Sequence, residues 1–183
     1  MAMANMIMRR FKQPVFRLAT LALWGLCSAL AQADSLSGWV VKVLDGDTIA
    51  VQDPSSQQHM VRLAGIDAPE HLQPFGDLSQ QNLGSLVYGR DVNVEWERRD
   101  PHGRIVGRVA VALPNCTAPA CPKVLDAGLA QVAAGYAWWF RPYAREQLAE
   151  DRRAYEQAEF QAKIRRLGLW SGKNPTPPWE GRY

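Results

Sequence analysis

Two apolar, strand-like runs end in acidic residues: Val43-Leu44-Asp45-Gly46-Asp47-Thr48 and Val61-Arg62-Leu63-Ala64-Gly65-Ile66-Asp67-Ala68-Pro69-Glu70. Because strands that end in acids bring negative charge together at the rim of a sheet, we expect the carboxylates of the two runs to meet there. Such oxygen ligands suit a hard cation such as Ca²⁺, which tolerates irregular geometry. Arg62 lies within the second run and supplies a planar fork for phosphate. A metal ion, a carboxylate base and an arginine are the groups that phosphodiester cleavage requires.

The first run has two simpler interpretations. Asp-Gly between apolar runs is a strong signal for a β-hairpin turn by itself. An EF-hand loop also begins with spaced acids, but it needs a glutamate at its twelfth position. That position is Ser56 when counted from Asp45 and Gln58 when counted from Asp47, so the EF-hand is excluded. The metal-site interpretation depends on the residues that complete the chemical set, which are Arg62, Asp67, Glu70 and the later Gly103-Arg104.

The periodicity of the remaining chain predicts an α+β fold. Strand-like runs cover residues 39–44, 48–52, 58–66, 92–96 and 105–111, and the last two show clear alternation of apolar and polar residues. Helical patterns cover residues 77–88, 123–134 and 145–166, the first opened by an Asp-x-x-Gln cap. Five strands interrupted by a helix predict a five-stranded Greek-key barrel of the OB type with about three helices.

Residues 1–33 have the features of a signal peptide. Arg9, Arg10 and Lys12 precede a mostly apolar segment, and Ala31-Gln32-Ala33 fits a cleavage site. A retained N-terminal anchor, a translation start at Met8 and twin-arginine export remain alternatives. We therefore expect a periplasmic or secreted protein without stable membrane association after cleavage.

Cleavage would change the charge of the chain. The whole sequence has 21 Lys and Arg against 18 Asp and Glu, a formal net charge of +3. Residues 1–33 hold four of the basic residues and no acid, so their removal leaves 17 basic residues against 18 acidic ones. Nucleic-acid binding would then depend on local arginine clusters and bound metal rather than on bulk charge.

Cys116 and Cys121 are the two cysteines that remain after cleavage, and they flank a short loop. In an exported chain such a pair is typical of a disulfide. Half of a zinc site is the alternative, but the sequence has no second cysteine pair or nearby histidine pair to complete it.

The set of motifs resembles the staphylococcal nuclease (thermonuclease) family. The matching residues occur in the family's order from about Gly38 to Trp170. They are Asp45-Gly46-Asp47-Thr48, Arg62-Leu63, Ile66-Asp67-Ala68-Pro69-Glu70, His102-Gly103-Arg104, Gly135, Trp138-Trp139-Phe140-Arg141-Pro142 and Gly168-Leu169-Trp170. The resemblance implies a nuclease domain over residues 34–170, followed by a Pro-rich tail over residues 171–183.

The resemblance also implies roles for individual residues. Asp47 and Asp67 would bind Ca²⁺ through their side chains and Ala68 through its main-chain carbonyl, whereas Asp45 would brace the turn. Glu70 resembles the general base that activates or orients the attacking water. Arg62 and Arg104 would bind the scissile phosphate and neutralise charge in the transition state.

Four further residues are assigned to substrate binding. By period-2 counting Arg108 shares a strand face with Arg104, so it is a second phosphate contact. His102, Trp138 and Phe140 stand where the family's type member has tyrosines. Aromatic faces can still stack on bases, but the phenolic hydroxyl contacts are lost. We expect at least one residue of the run 138–140 in the core and one at the cleft.

The sequence therefore predicts a monomeric Ca²⁺-dependent enzyme that hydrolyses DNA and RNA. The first alternative is a nucleic-acid-binding OB module with decayed catalysis, which would usually have lost one residue of the set. The second alternative is a cell-wall or carbohydrate-binding OB domain, which would need neither Glu70 nor metal. The complete set favours the enzyme.

Overall fold

The computed structural model describes residues 34–118 and 120–180, so the predicted signal peptide over residues 1–33 lies outside the described residues. The described residues contain eight strands: β1 Asp34–Val43, β2 Thr48–Gln52, β3 Gln58–Leu63, β4 Ile66–Asp67, β5 Asp91–Arg99, β6 Ile105–Ala112, β7 Lys123–Asp126 and β8 Trp138–Trp139. The α-helices are α1 Gly76–Val87, α2 Ala127–Ala133 and α3 Ala149–Ile164. None of the helices in these ranges combines the length and the apolar composition that crossing a membrane requires.

Five of the strands close into a barrel. Their order is β3-β2-β1-β5-β6, and β3 then pairs in parallel with β6, with Val61 opposite Ile105 and Leu63 opposite Gly107. All other pairs in the barrel are antiparallel. The predicted α+β fold, with a five-stranded OB-type barrel and about three helices, is confirmed.

The core lies inside the barrel and beneath the helices. The alternation in β5 buries Val92 and Val94, while Asn93 and Glu95 face outward. The other large apolar side chains of the interior include Ile49, Val61, Leu63, Ile66, Leu83, Val87, Ile105, Val109 and Val111. Burial of this contiguous apolar set is the main stabilising contribution.

The helix predicted over residues 123–134 is wrong in its first four residues. Residues 123–126 form β7, which pairs with the outer edge of β6 through Ala110 opposite Asp126. Asp126 then caps α2, because its Oδ1 accepts hydrogen bonds from the N–H groups of Gly128 and Leu129. The ladder with β6 overrides the helical spacing of the apolar residues.

Three other boundaries also differ from the prediction. The third strand stops at Leu63, because Gly65 adopts a positive φ of 75° and turns the chain into β4. The expected Asp77 cap is absent: α1 begins after Phe75, which makes no side-chain capping bond. Residues 141–146 form a 3₁₀ turn, so α3 begins later than predicted.

Cys116 and Cys121 form a disulfide in the connection between β6 and β7, with their Cα atoms 5.9 Å apart. The predicted pairing of these cysteines is thus present in the structure. The bond closes the loop that carries the chain from one strand to its neighbour.

Glu159 of α3 is a buried carboxylate that supports the aromatic run. Its Oε1 accepts a hydrogen bond of 3.2 Å from the N–H of Trp139, and its Oε2 accepts bonds of 2.8 Å from Arg141 and from Lys163. Burial alone would raise the pKa of Glu159, but the bonds from Arg141 and Lys163 outweigh burial and hold the pKa below its usual value. The carboxylate therefore fixes β8, which continues into Phe140.

Replacing Glu159 with alanine is expected to lower the free energy of unfolding by about 2 kcal/mol at neutral pH, because the buried N–H of Trp139 loses its acceptor. Since the folded-state pKa is depressed, this stabilisation is complete above the ordinary Glu pKa of about 4.3 and is lost as the pH falls through the folded value. Urea denaturation at neutral and acidic pH measures the difference.

The matched control is Glu156→Ala on the exposed face of the same helix, which should change stability by less than about 0.5 kcal/mol. Equal denaturation midpoints for Glu159→Ala and the wild type would contradict the proposed role of this carboxylate.

Candidate active site

The loop between β1 and β2 directs Asp47 into the protein. The N–H of Asp47 donates to Asp45 Oδ1 at 2.9 Å, so Asp45 does brace the turn. Gly46 is required here, because a Cβ at this position would lie 1.8 Å from Ser79 Oγ. Asp47 is 4% exposed and accepts hydrogen bonds from the hydroxyl of Thr48 and from the N–H of Ala68, the latter to Oδ2 at 2.9 Å.

Arg62 of β3 lies between the two buried aspartates. One guanidinium nitrogen is 2.6 Å from Asp67 Oδ1 and 3.4 Å from Asp47 Oδ2. The other nitrogen donates to the carbonyl of Ile66 at 3.0 Å. These contacts fix the orientation of the guanidinium, and they show that the two predicted metal ligands and the predicted phosphate ligand lie together.

Glu70 stands at the exposed rim of the same site, three residues after Asp67. Its N–H donates to the side-chain oxygen of Gln73 at 2.8 Å. Residues from four separate loops and strands enclose a cavity of about 350 Å³, and they are Asp45, Asp47, Arg62, Glu70, His102 and Arg104.

The cavity has a surplus of negative charge. Burial and the negative charge of Asp47 raise the pKa of Asp45 to about 6, and the charge of Glu70 acts in the same direction. A bound cation would relieve this repulsion.

The available donors at this position are carboxylate and carbonyl oxygens, which suit Ca²⁺ or Mg²⁺ better than a soft metal. Within residues 34–118 and 120–180 no three His, Cys, Asp or Glu side chains form a ready-made metal cluster. The donors that the structure places here are therefore the carboxylates of the two buried aspartates, Asp47 and Asp67. Because calcium accepts carbonyl and water ligands beside carboxylates, this set fits it.

Asp100 orients the second arginine and was missed from the sequence. Its Oδ1 accepts bonds from the N–H groups of His102 and Arg104, and its Oδ2 accepts from Arg104 Nε at 2.7 Å. Burial raises the pKa of Asp100, but the bonds from Arg104 outweigh it and bring the pKa below its usual value. The pattern Asp-x-x-Gly-Arg was the available signal, since an aspartate readily bonds the backbone of its own turn.

The aromatic run divides between core and cleft. Phe140 borders a second cavity of about 230 Å³ that also touches Arg62, His102 and Arg104, so its ring lies on the same side of the protein as the two arginines. Trp138 is 5% exposed, and its ring packs edge-on against Trp170 at a centroid distance of 5.1 Å. Alternation places Trp138 on the same side of the strand as Phe140. The structure nevertheless does not bring Trp138 to the cavity, because the rings of Trp170 and Trp179 pack against it.

Arg108 is also not part of the site. It pairs with Asp126 at 3.1 Å and lies 3.5 Å from Glu95, and these two charges raise its pKa despite its partial burial. Four residues of strand separate it from Arg104, about 13 Å at the usual rise per residue, so a shared face does not imply a shared phosphate.

Comparison with known proteins adds a separate finding. The family model described as "Staphylococcal nuclease homologue" matches residues 60–172. The chain is 35% identical over 170 residues to a "Micrococcal nuclease" of Shigella flexneri, covering 90% of this chain and 94% of that protein. It is 36% identical over 148 residues to an "Uncharacterized endonuclease" of Escherichia coli, covering 81% and 86%. It is 38% identical over 147 residues to "Protein ParB" of the same organism, covering 80% and 79%.

Proposed function

Because the chain belongs to the staphylococcal nuclease family and is a phosphodiester-hydrolysing enzyme, we propose that it is a secreted or periplasmic, calcium-dependent endonuclease of DNA and RNA. The observation that carries the proposal is the single cavity lined by Glu70, Arg62 and Arg104 beside the acidic turn. DNA and RNA share the phosphodiester group that these residues would bind.

The two arginines would hold the scissile phosphate. Arg62 is oriented by Asp67 and Arg104 by Asp100, so neither guanidinium needs to reorganise when substrate arrives. Fixed cationic donors stabilise the charge that develops on the phosphate oxygens in the transition state. Their positioning is the main contribution of the barrel to the proposed reaction.

Glu70 would take a proton from the attacking water. Its position at the exposed rim gives it access to solvent, and Pro69 restricts the backbone before it. Water attacks phosphorus and the Glu70 carboxylate accepts its proton. The bond to the ribose or deoxyribose oxygen breaks, and the leaving oxygen takes a proton from solvent water. Asp47, Asp67 and the Ala68 carbonyl would hold Ca²⁺, which when bound supplies further positive charge to the phosphate.

Two features support the proposed location and partners. The signal-peptide pattern of residues 1–33 and the disulfide between Cys116 and Cys121 are both typical of exported proteins. Phe140 and the exposed Tyr143, whose ring centroids are 5.1 Å apart, offer aromatic surface beside the phosphate position. We propose a monomer without stable membrane association.

The experiment is digestion of circular DNA, linear DNA and RNA by the chain from Asp34 onward, in the presence of Ca²⁺. Linearisation of circular DNA identifies an endonuclease, and fragmentation of RNA establishes the second substrate. Binding of an oligonucleotide without cleavage of any substrate would support the alternative, a catalytically weak binding module, and would overturn the proposal.

Arg62→Lys should lower turnover roughly tenfold, less than the 10²–10³ typical of losing an oxyanion donor outright, because the charge remains. An ammonium cannot reproduce the fork that reaches Asp67, the Ile66 carbonyl and a phosphate together. Single-turnover cleavage measures the effect, and Arg153→Lys on the exposed surface of α3 is the matched control. Wild-type turnover in Arg62→Lys would remove Arg62 from the mechanism.

A further inference from the structure

The C-terminal segment beyond Asn174 folds back onto the active-site side of the protein. Pro178 is buried, and Trp179 packs against Phe140 at a centroid distance of 5.5 Å and against Trp138 at 6.3 Å. The predicted Pro-rich tail over residues 171–183 is therefore, as far as Glu180, part of the folded domain.

Gln73 joins this segment to the backbone of Glu70. Its side-chain oxygen accepts the N–H of Glu70 at 2.8 Å, while its side-chain nitrogen donates to the carbonyl of Pro178 at 3.2 Å. The Gln73 amide thus accepts a hydrogen bond from the residue proposed as the base and donates one to the C-terminal segment.

The loop that carries both residues is compact. The N–H of Gln73 donates to the carbonyl of Glu70 at 2.8 Å, and the N–H of Gly76 donates to the carbonyl of Gln73 at 3.0 Å. A Cβ on Gly76 would lie 2.0 Å from the Glu70 carbonyl oxygen, so the chain approaches itself closely here. The backbone of Glu70 is consequently held from two sides, by its own loop and by the Gln73 amide.

We propose that Gln73 is a positioning residue for Glu70, held in place by the segment Pro175–Glu180, an inference that rests on the proposed role of Glu70 as general base. The segment's contribution is indirect. The ring of Trp179 anchors the segment on Phe140 and Trp138, the anchored Pro178 carbonyl fixes the Gln73 amide, and the amide fixes the Glu70 backbone. A carboxylate at an exposed rim needs such support, because small misplacements of a catalytic group lower the rate steeply.

The test compares Gln73→Met, which keeps the length of the side chain and removes both hydrogen bonds, with Gln81→Met on the exposed face of α1. Gln73→Met should lower kcat roughly tenfold by misplacing the base, with affinity for a non-cleavable oligonucleotide within about twofold of wild type. Gln81→Met should retain wild-type kcat. Circular dichroism confirms that each variant is folded.

The same substitution in a Glu70→Gln background separates positioning from general structural damage. If Gln73 acts through the Glu70 carboxylate, Gln73→Met should cause no further loss of kcat there. Trp179→Ala leaves Gln73 unchanged, and it should lower kcat several-fold in the wild-type background with no further loss in the Glu70→Gln background. It therefore tests the proposal if Gln73→Met does not fold, and an equal loss in both backgrounds would overturn the positioning role.

The outcomes distinguish the positioning role of Gln73 from the general-base role of Glu70. Wild-type kcat in Gln73→Met, or an equal loss in the wild-type and Glu70→Gln backgrounds, would overturn the positioning role while leaving Glu70 as the base. Wild-type cleavage by Glu70→Gln itself would instead overturn the proposed function on which the inference rests.

Discussion

Withdrawing Ca²⁺ with an excess of chelator is expected to lower cleavage at least about 10³-fold, because a bound cation supplies several kcal/mol of charge stabilisation and each 1.36 kcal/mol is tenfold in rate. The structural reason is the balance of charge at the cavity. Asp47 and Asp67 are both buried, and Asp45 beside them has its pKa raised to about 6, first by burial and then by the charge of Asp47. The arginines neutralise only part of this charge.

A second readout keeps this prediction independent of activity. Ca²⁺ that binds the folded chain should raise the free energy of unfolding by about 2.7 kcal/mol at a concentration 100 times its Kd. Asp47→Asn should weaken this stabilisation, whereas the exposed Asp77→Asn on α1 should not alter it. Unchanged digestion in excess chelator, together with no calcium-dependent stabilisation, would remove the metal from the mechanism.

Glu70→Gln is expected to lower single-turnover cleavage roughly 10²-fold or more, the scale usual for a positioned acid–base group. The amide keeps the size of the side chain but cannot accept the proton of the attacking water. Because the proposed work of Glu70 is done in the transition state, affinity for the substrate should change little. Glu70 is exposed and contributes its N–H, not its side chain, to the bond with Gln73, so the fold should remain intact.

The measurement pairs cleavage with binding of a non-cleavable oligonucleotide, and circular dichroism controls for folding. Glu156→Gln is the matched control, since this exposed glutamate lies on α3 outside the cavity. Cleavage by Glu70→Gln at the wild-type rate would show that the carboxylate is structural.

Much of the fold was predictable because its strongest local signals agree with the tertiary structure. The alternation predicted for β5 and β6 matches the inward and outward faces of the barrel strands. The acidic ends of the first two runs lie together at the cavity. The sequence failed at β7, where pairing with the edge of β6 prevails over helical spacing, and at Gly65, where a positive φ divides one apolar run into two strands. Neither effect has a signal in periodicity.

The residues proposed to react with substrate could be predicted from the sequence. The residues that orient them could not. The cavity brings together Asp47, Arg62, Glu70 and Arg104, whose roles remain predictions. Asp100 and Gln73 were missed because each acts through backbone contacts that depend on loop geometry. Arg108 and Trp138 were assigned to substrate because spacing alone cannot show that a cation is paired with Asp126 or that a ring lies under Trp170.

The parallel pairing of β3 with β6 determines when, during folding, the two arginines come together. Arg62 lies on β3 directly opposite Val106, and Arg104 immediately precedes β6, so the two arginines come together only when β3 pairs with β6. Contacts between segments so distant in the chain form late, since the loop between them must be ordered first. Under the export proposed above, a chain that is still unfolded has no assembled pair of arginines, and the proposed nuclease activity would arise only after folding is complete.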